Sequence, residues 1–329
     1  MRQYILRRFA YLFLVLFGLS IAVFLLLRVM PGDTAQAALG QGATPEALER
    51  VRHQLGLDKP EFFDIEHPWP WQRAFWDTQY FDWVSGAVRF DFGHSVFEGR
   101  PVTSAVADRL PVTVELLIMT VLFTVAIGVP IGIVSAVYQN SPLDYTVRIL
   151  SIFGLSIPGF WLGTLVILIP SLLWAYSPPI GYVPFFENPW TNMRQFVPPA
   201  LVLAAGTSAV IMRLSRSALL EVLRNDYIRT ARSKGLRERA VIYRHALKNA
   251  LIPVITVVGL QFAVLLGGTV IIESIFALPG IGLLTLEAIF RRDFALVQAT
   301  TLLIAVGFVL VNLAVDVAYA WLDPRIRYG

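Results

Sequence analysis

Six stretches of this chain carry no charged residue over lengths that cross a bilayer. They are Phe9–Leu27, Leu116–Tyr138, Ile149–Tyr176 and the intervals Arg194–Arg213, Lys248–Glu273 and Asp293–Asp316. A hydrocarbon core of about 30 Å takes roughly 20 helical residues. The expected fold class is therefore an all-α membrane protein with six transmembrane helices. Charged residues are only 15 % of the chain, against about a quarter in soluble domains, and the mean hydropathy is +0.63. Arg2, Arg7 and Arg8 before the first run imitate a signal peptide. That run is longer than a signal's apolar region and no small-x-small cleavage site follows, so it reads as a retained helix. The chain has no cysteine, which removes disulfides and thiolate metal sites.

Lys and Arg set the orientation, since cytoplasmic loops carry their excess. Three arginines lie within the first eight residues, the Arg213–Lys248 loop holds ten basic against three acidic residues, and Arg325 and Arg327 sit in the tail. With six spans these three segments share one side, the cytoplasm. Segment 31–112, with twelve acidic and seven basic residues, falls outside. The expected organisation is an N-terminal helix at 1–30, an extracytoplasmic segment at 31–112 and a five-helix core at 113–329, whose cytoplasmic loop is 213–252.

Within that loop, residues 226–253 have more order than a solvated basic loop requires. Asn225 or Asp226 caps a short helix that places Tyr227, Thr230, Ala231 and Lys234 on one face by three- and four-residue spacing. Gly235 stops it, because glycine takes left-handed dihedrals without a Cβ penalty. Leu236, Ala240, Tyr243, Leu247 and Leu251 then repeat at helical spacing into the fifth span, with Pro253 near its start. A short helix, a glycine break and a second helix make an elbow, a docking surface for a partner. An ordinary positive-inside loop accounts for the charge but not for the Tyr–Thr–Ala–Lys–Gly pattern.

The run resembles the "EAA" loop of importer-type ATP-binding-cassette permeases. Thr230, Ala231 and Gly235 fill its core, Ile252–Pro253 its end, and Arg229 stands where the name has Glu. Met212–Arg213–Leu214–Ser215–Arg216 and Asp226–Tyr227–Ile228–Arg229–Thr230–Ala231–Arg232 resemble the dipeptide/oligopeptide permease B subunits. So do Pro31–Gly32–Asp33, Leu55–Gly56–Leu57–Asp58, Ser156–Ile157–Pro158 with Phe160–Trp161, Pro279–Gly280–Ile281–Gly282, and Asp316 with Asp323–Pro324–Arg325–Ile326–Arg327. Segment 61–83 is longer and more aromatic than that family's usual external segment. Phe90–Asp91–Phe92–Gly93 and Ala295 also depart from its pattern.

The resemblance implies a type I importer permease fold in a bacterial or archaeal cytoplasmic membrane, transporting peptides. It implies no catalysis and no cofactor in this chain, with ATP and Mg bound by one or two partner ATPases. A second permease chain, related or identical, and an extracytoplasmic substrate-binding protein would complete the assembly, with lipid around it and no nucleic acid. The elbow would be the coupling helix: Asp226 opens it, Tyr227, Thr230 and Ala231 pack in a groove of the ATPase, Arg232 and Lys234 pair with its acidic residues, and Gly235 keeps the shape. Relatives of this kind also carry nickel chelates, glutathione and opine-like or sugar compounds.

Ionisable groups inside spans cost about 2.5–3.5 kcal/mol at mid-helix, so each needs a reason. Glu115 begins the second expected span and Glu273 ends the fifth; each either lines the pathway or makes structural contacts. Gln261, inside the fifth, suits a cavity or an interhelical hydrogen bond equally. Asp316 reads as structural. Trp69, Trp71, Trp76 and Trp83 form either an interfacial belt or a docking surface. His53, His67 and His94 match no metal spacing. No GxxxxGK[ST] phosphate loop is present, and no GxSxG or HExxH hydrolase signature. A stand-alone secondary transporter is the rival class; it would show mid-membrane charges or inverted repeats.

Overall fold

The computed structural model describes residues 2–29, 39, 43–54, 56–62 and 76–322; side chains of 2–10, 26–29, 54 and 316–322 lie outside that description. Among the described residues the fold is all-α, without strands. The helices are α1 (Arg2–Val29), α2 (Pro45–Gln54), α3 (Gln79–Val88), α4 (Val102–Val137), α5 (Pro142–Ser156), α6 (Gly159–Trp174), α7 (Pro189–Leu223), α8 (Asp226–Ser233), α9 (Glu238–Ala240), α10 (Leu247–Ile275), α11 (Ile281–Arg291) and α12 (Phe294–Leu322). A π-helical stretch, Val241–Ala246, joins α9 to α10. Asp316, Trp69, Trp71 and His67, and the arginines flanking the first and last spans, fall outside the described residues or side chains.

Among the described residues four segments are long and apolar enough to cross a membrane: α4, α7, α9 through α10, and α12. The third expected span is not one straight helix. It breaks into α5 and α6, which bend by 96° about Ile157–Pro158. Proline has no N–H to continue the ladder and pushes the residue before it out of the helical region; Ile157 is extended, at φ −83 and ψ 121. A charge-free run reports apolarity and is blind to this break. The N-terminal helix α1 contributes the shorter apolar stretch Tyr11–Leu25.

Helix starts follow local chemistry. α5 opens on Ser141–Pro142, where Ser141 Oγ accepts from Asp144 N (3.3 Å). α7 opens on Asn188–Pro189, where Asn188 Oδ1 accepts from Thr191 N (3.0 Å). A short polar side chain before a first-turn proline satisfies one of the donors that a helix start leaves open.

By packing the chain falls into two units. One is built on Val112–Pro279 and the chain from Gly307 onward; the other on Arg7–Pro111 and Gly280–Val306. Gly280–Val306 thus groups by contacts with Arg7–Pro111. In the first unit Leu116, Phe196, Ala200, Ile272 and Phe276 form one core. In it α4 approaches α7 so closely that a Cβ on Gly132 would lie 2.5 Å from Met212 O and 2.7 Å from Ser215 Cβ. In the second unit Val102, Leu284, Leu296 and Val297 pack together, and Phe24 sits edge-on to Phe62 (4.9 Å) and Tyr80 (5.2 Å). Trp83 joins that aromatic cluster, tilted against Tyr80 at 6.4 Å, while Trp76 packs edge-on to Phe81 at 4.5 Å.

Candidate functional site

The elbow forms where the sequence places it. Asn225 is the extended residue before α8, although its side chain makes no capping hydrogen bond. Gly235 follows the helix at φ +75, and its N–H donates to Arg232 O (2.9 Å). Valine at 235 would be held in the left-handed region, which costs an L-residue roughly 1–2 kcal/mol. Gly235→Val is expected to leave α4, α7 and α10 intact while loosening the elbow, read as faster amide exchange confined to 226–240.

The helix is two-faced. Ile228 is fully buried and Ala231 is 8 % exposed; both pack with Ala136 of α4, Ala218 and Leu219 of α7, and Val241, Ala246 and Ala250 beyond the break. Tyr227, Thr230, Ser233 and Lys234 are exposed. Of the four residues expected on one face, Tyr227, Thr230 and Lys234 are exposed and Ala231 is turned inward. On a helix Ala231 lies between the azimuths of Tyr227 and Ile228, and the apolar demand of Ile228 turns it inward. Ala231 therefore seats the elbow on its own bundle.

The other expected contacts are also placed. Arg232 grips Glu238 through two hydrogen bonds, Nη2 to Oε1 at 2.7 Å and Nε to Oε2 at 3.2 Å, closing the elbow across Gly235. Its guanidinium is thus engaged within the chain. Tyr227 OH accepts from Asn249 Nδ2 (2.8 Å), pinning the ring to the start of α10. Asp226 and Arg229 meet at an exposed 3.4 Å, a contact worth little. The stripe expected after Gly235 is corrected too. Leu236 and Tyr243 are exposed, and the buried positions are Val241, Ile242, Ala246 and Ala250. The π-helical stretch adds a residue to a turn and rotates the face that meets the bundle.

The three polar candidates inside the spans differ. Glu273, in α10, is fully buried and accepts from Thr113 Oγ1 (2.8 Å). Glu115 of α4 is half-buried; its carboxylate accepts from Asn192 Nδ2 (2.6 Å) and Tyr182 OH (3.1 Å). Burial, and then the charge of Glu115, push the Tyr182 phenol above its usual range. Gln261 is half-buried, and its side chain makes no hydrogen bond among the described residues. Glu115 and Glu273 thus occupy formed hydrogen-bond sites, while the Gln261 side chain has no partner among the described residues.

Two buried polar centres were not singled out in the sequence. Asn192 and Gln195, one turn apart on α7, tie down the segment before it: Asn192 Nδ2 donates to Val183 O (2.9 Å), and Gln195 Oε1 accepts from Val183 N (3.1 Å). The second is Asp144, fully buried in the first turn of α5. Its Oδ1 accepts from Ser135 Oγ (2.6 Å) and Arg216 Nε (2.7 Å), its Oδ2 from Arg216 Nη2 (2.8 Å) and Asn140 N (3.0 Å). Four donors around one carboxylate lock the end of α4, the start of α5 and α7 together. Among the described residues no group of three His, Asp or Glu side chains gathers as a metal set would. His53 is exposed, 3.8 Å from Asp58.

A long-helix bundle with a two-faced elbow between α7 and α10 is a shape that can be compared. Residues 128–328 match the family model described as binding-protein-dependent transport system inner membrane component. Residues 1–117 match the model of that component's N-terminal region. The chain belongs to this family. The permease is 40 % identical over 328 residues to a Brucella abortus (strain 2308) protein whose name assigns it to a peptide transport system as permease, with all of both chains covered. It is 37 % identical over 328 residues to the glutathione transport system permease protein of Escherichia coli (strain K12), again with full coverage of both. The inward-facing MetNI methionine ABC transporter shares its fold at a TM-score of 0.55 and 18 % identity, covering 67 % of the permease and 96 % of that chain. The permease is thus an inner-membrane component of a binding-protein-dependent transport system.

Proposed function

We propose that this permease forms half of the pathway of a peptide importer and takes its driving force from an ATPase seated on the exposed face of α8. The two-faced elbow carries the reading: one face is fixed to α4 and α7 by Ile228 and Ala231, and the other presents Tyr227, Thr230 and Lys234. A groove that moves when two ATPase subunits close on ATP would push the elbow, and the elbow would carry the helices beneath it between inward- and outward-facing states. The push favours one state only because the ATPase binds the two with different free energy. The termini and the elbow lie in the cytoplasm in this reading, and α1, with α4, α5–α6, α7, α10 and α12, makes six spans. A second permease chain encloses the other half of the pathway, an extracytoplasmic binding protein delivers cargo, and ATP and Mg stay on the ATPases. Peptide cargo rests on the named relatives, whose peptide and glutathione substrates share an amide backbone.

Thr230→Trp places bulk on the outer face without touching the buried one. The complex reconstituted with its ATPases and binding protein is expected to keep its assembly and to lose most ATP-driven peptide uptake, about tenfold or more for a loss of at least 1.4 kcal/mol in seating. Ala231→Trp acts differently: it wedges the elbow off the bundle and lowers the yield of folded permease. Full coupled uptake by Thr230→Trp would remove α8 from the coupling role.

A further inference from the structure

In the first unit α5 and α7 run antiparallel, with Asp144 on Arg216 at one end and Gly154 facing Ala205 at the other. Between these points a groove of about 760 Å³ is lined by Arg148, Ser151, Ile152, Val210, Arg213, Leu214, Arg216 and Ser217. Its lining is graded. Arg148, Arg213, Arg216 and Ser217 lie toward the Asp144 end with Leu214 among them, and Ile152 and Val210 lie toward the Gly154 end with Ser151 beside them.

The charges do not balance. Arg216 is spent on Asp144, whose oxygens already accept four hydrogen bonds. Arg148 lies over the Tyr145 ring at 4.6 Å and meets no carboxylate. Arg213 is exposed, and among the described residues its side chain has neither a hydrogen bond nor an ion pair. Both arginines lie at the ends of the charge-free runs that follow Arg148 and precede Arg213, on the cytoplasmic side in the proposed orientation, where basic side chains meet anionic headgroups. The outer side of α5 adds apolar surface beside the groove, through Ile149, Leu150 and Phe153.

We propose that this groove binds an anionic phospholipid of the cytoplasmic leaflet. Its phosphate lies between Arg148 and Arg213 with the Ser217 hydroxyl in reach, and one acyl chain runs past Ile152 and Val210. Guanidinium groups present paired N–H donors that fit phosphate oxygens, and the polar-to-apolar grade matches an amphiphile lying along the membrane normal. An acidic partner protein would satisfy the arginines but not the grade. The assignment to the cytoplasmic leaflet rests on the orientation given under the proposed function.

The test is to purify the intact transporter in mild detergent and measure retained phosphatidylglycerol by native mass spectrometry. Wild type is expected to keep this lipid in preference to phosphatidylcholine, and Arg148→Gln/Arg213→Gln to retain it roughly thirtyfold less, the factor two basic contacts supply. Arg89→Gln/Arg109→Gln serves as a control of equal charge loss elsewhere and is expected to retain it. Equal loss in both double variants, or no loss in the first, overturns the site. A photoreactive residue at Ile152 separates occupants: a phospholipid adduct supports the proposal, and a cross-link to another polypeptide or to peptide cargo refutes it. Orientation is read independently from Ser233→Cys, which stays unlabelled by an impermeant maleimide in intact cells if the elbow is cytoplasmic.

Discussion

Arg216→Ala is expected to be among the most damaging single changes in the permease. It strips the guanidinium from Asp144, a carboxylate with no exposed side-chain surface, and leaves only Ser135 and the Asn140 N–H as donors. Removing one partner of a buried ion pair costs about 3–5 kcal/mol, because the remaining charge stays buried and uncompensated. Asp144→Ala is milder. Arg216 keeps 18 % of its side-chain surface exposed, and its long stem lets the charge reach water. Thermal unfolding of the two single variants and the double variant forms a cycle. The double variant is expected to be more stable than Arg216→Ala alone, since no orphaned carboxylate remains. An Arg216→Ala protein as stable as wild type would mean that this clamp is incidental.

Gly132→Val follows close behind. The added Cβ meets the Met212 carbonyl and Ser215 Cβ, and neither is the far end of a flexible side chain. The helices must separate along their seam, and overpacking of a formed core costs about 1–3 kcal/mol or more. Gly206 provides the contrast: a Cβ there would meet Gly154 O at 3.8 Å, ordinary contact. Gly206→Ala is expected to be neutral or stabilising, since alanine gains up to about 1 kcal/mol over glycine in a helix. Yield of folded protein and midpoint of thermal aggregation rank the two variants. Comparable losses from both would remove the argument from close approach.

What could be read in the sequence follows from which forces are local. Runs without charge marked the apolar spans, because the cost of burying charge in lipid acts residue by residue. Gly235 marked the end of α8, since a positive φ is a property of one residue. The break at Ile157–Pro158 was written in the chain, but a search for missing charge passes over a proline. The inward turn of Ala231 was missed because 227, 230 and 231 fit helical spacing as well as 228 and 231 do, and only the neighbouring bundle decides which pair is buried. The π-helical stretch has no periodic signal and moved the stripe after Gly235. Asp144 lies in Asn140–Ser141–Pro142–Leu143–Asp144, where it reads as a first-turn acid. Its partner Arg216 stands 72 residues away in a basic motif, and no local rule joins them. Glu115 gained its partners the same way, Asn192 from the start of α7 and Tyr182 from the segment before it.

The coupling claim is tested most directly by cross-linking from the elbow. The chain has no cysteine, so single-cysteine variants need no background removal. Thr230→Cys in the native membrane is expected to cross-link, through a short bifunctional maleimide, to an ATP-binding subunit, with a yield that changes when ATP is added. Ile228→Cys, buried against α4 and α7, is expected to give no product. A Thr230→Cys permease that forms no adduct with an ATPase, yet moves peptides in vesicles without ATP, would contradict the coupling role and make this chain a transporter in its own right.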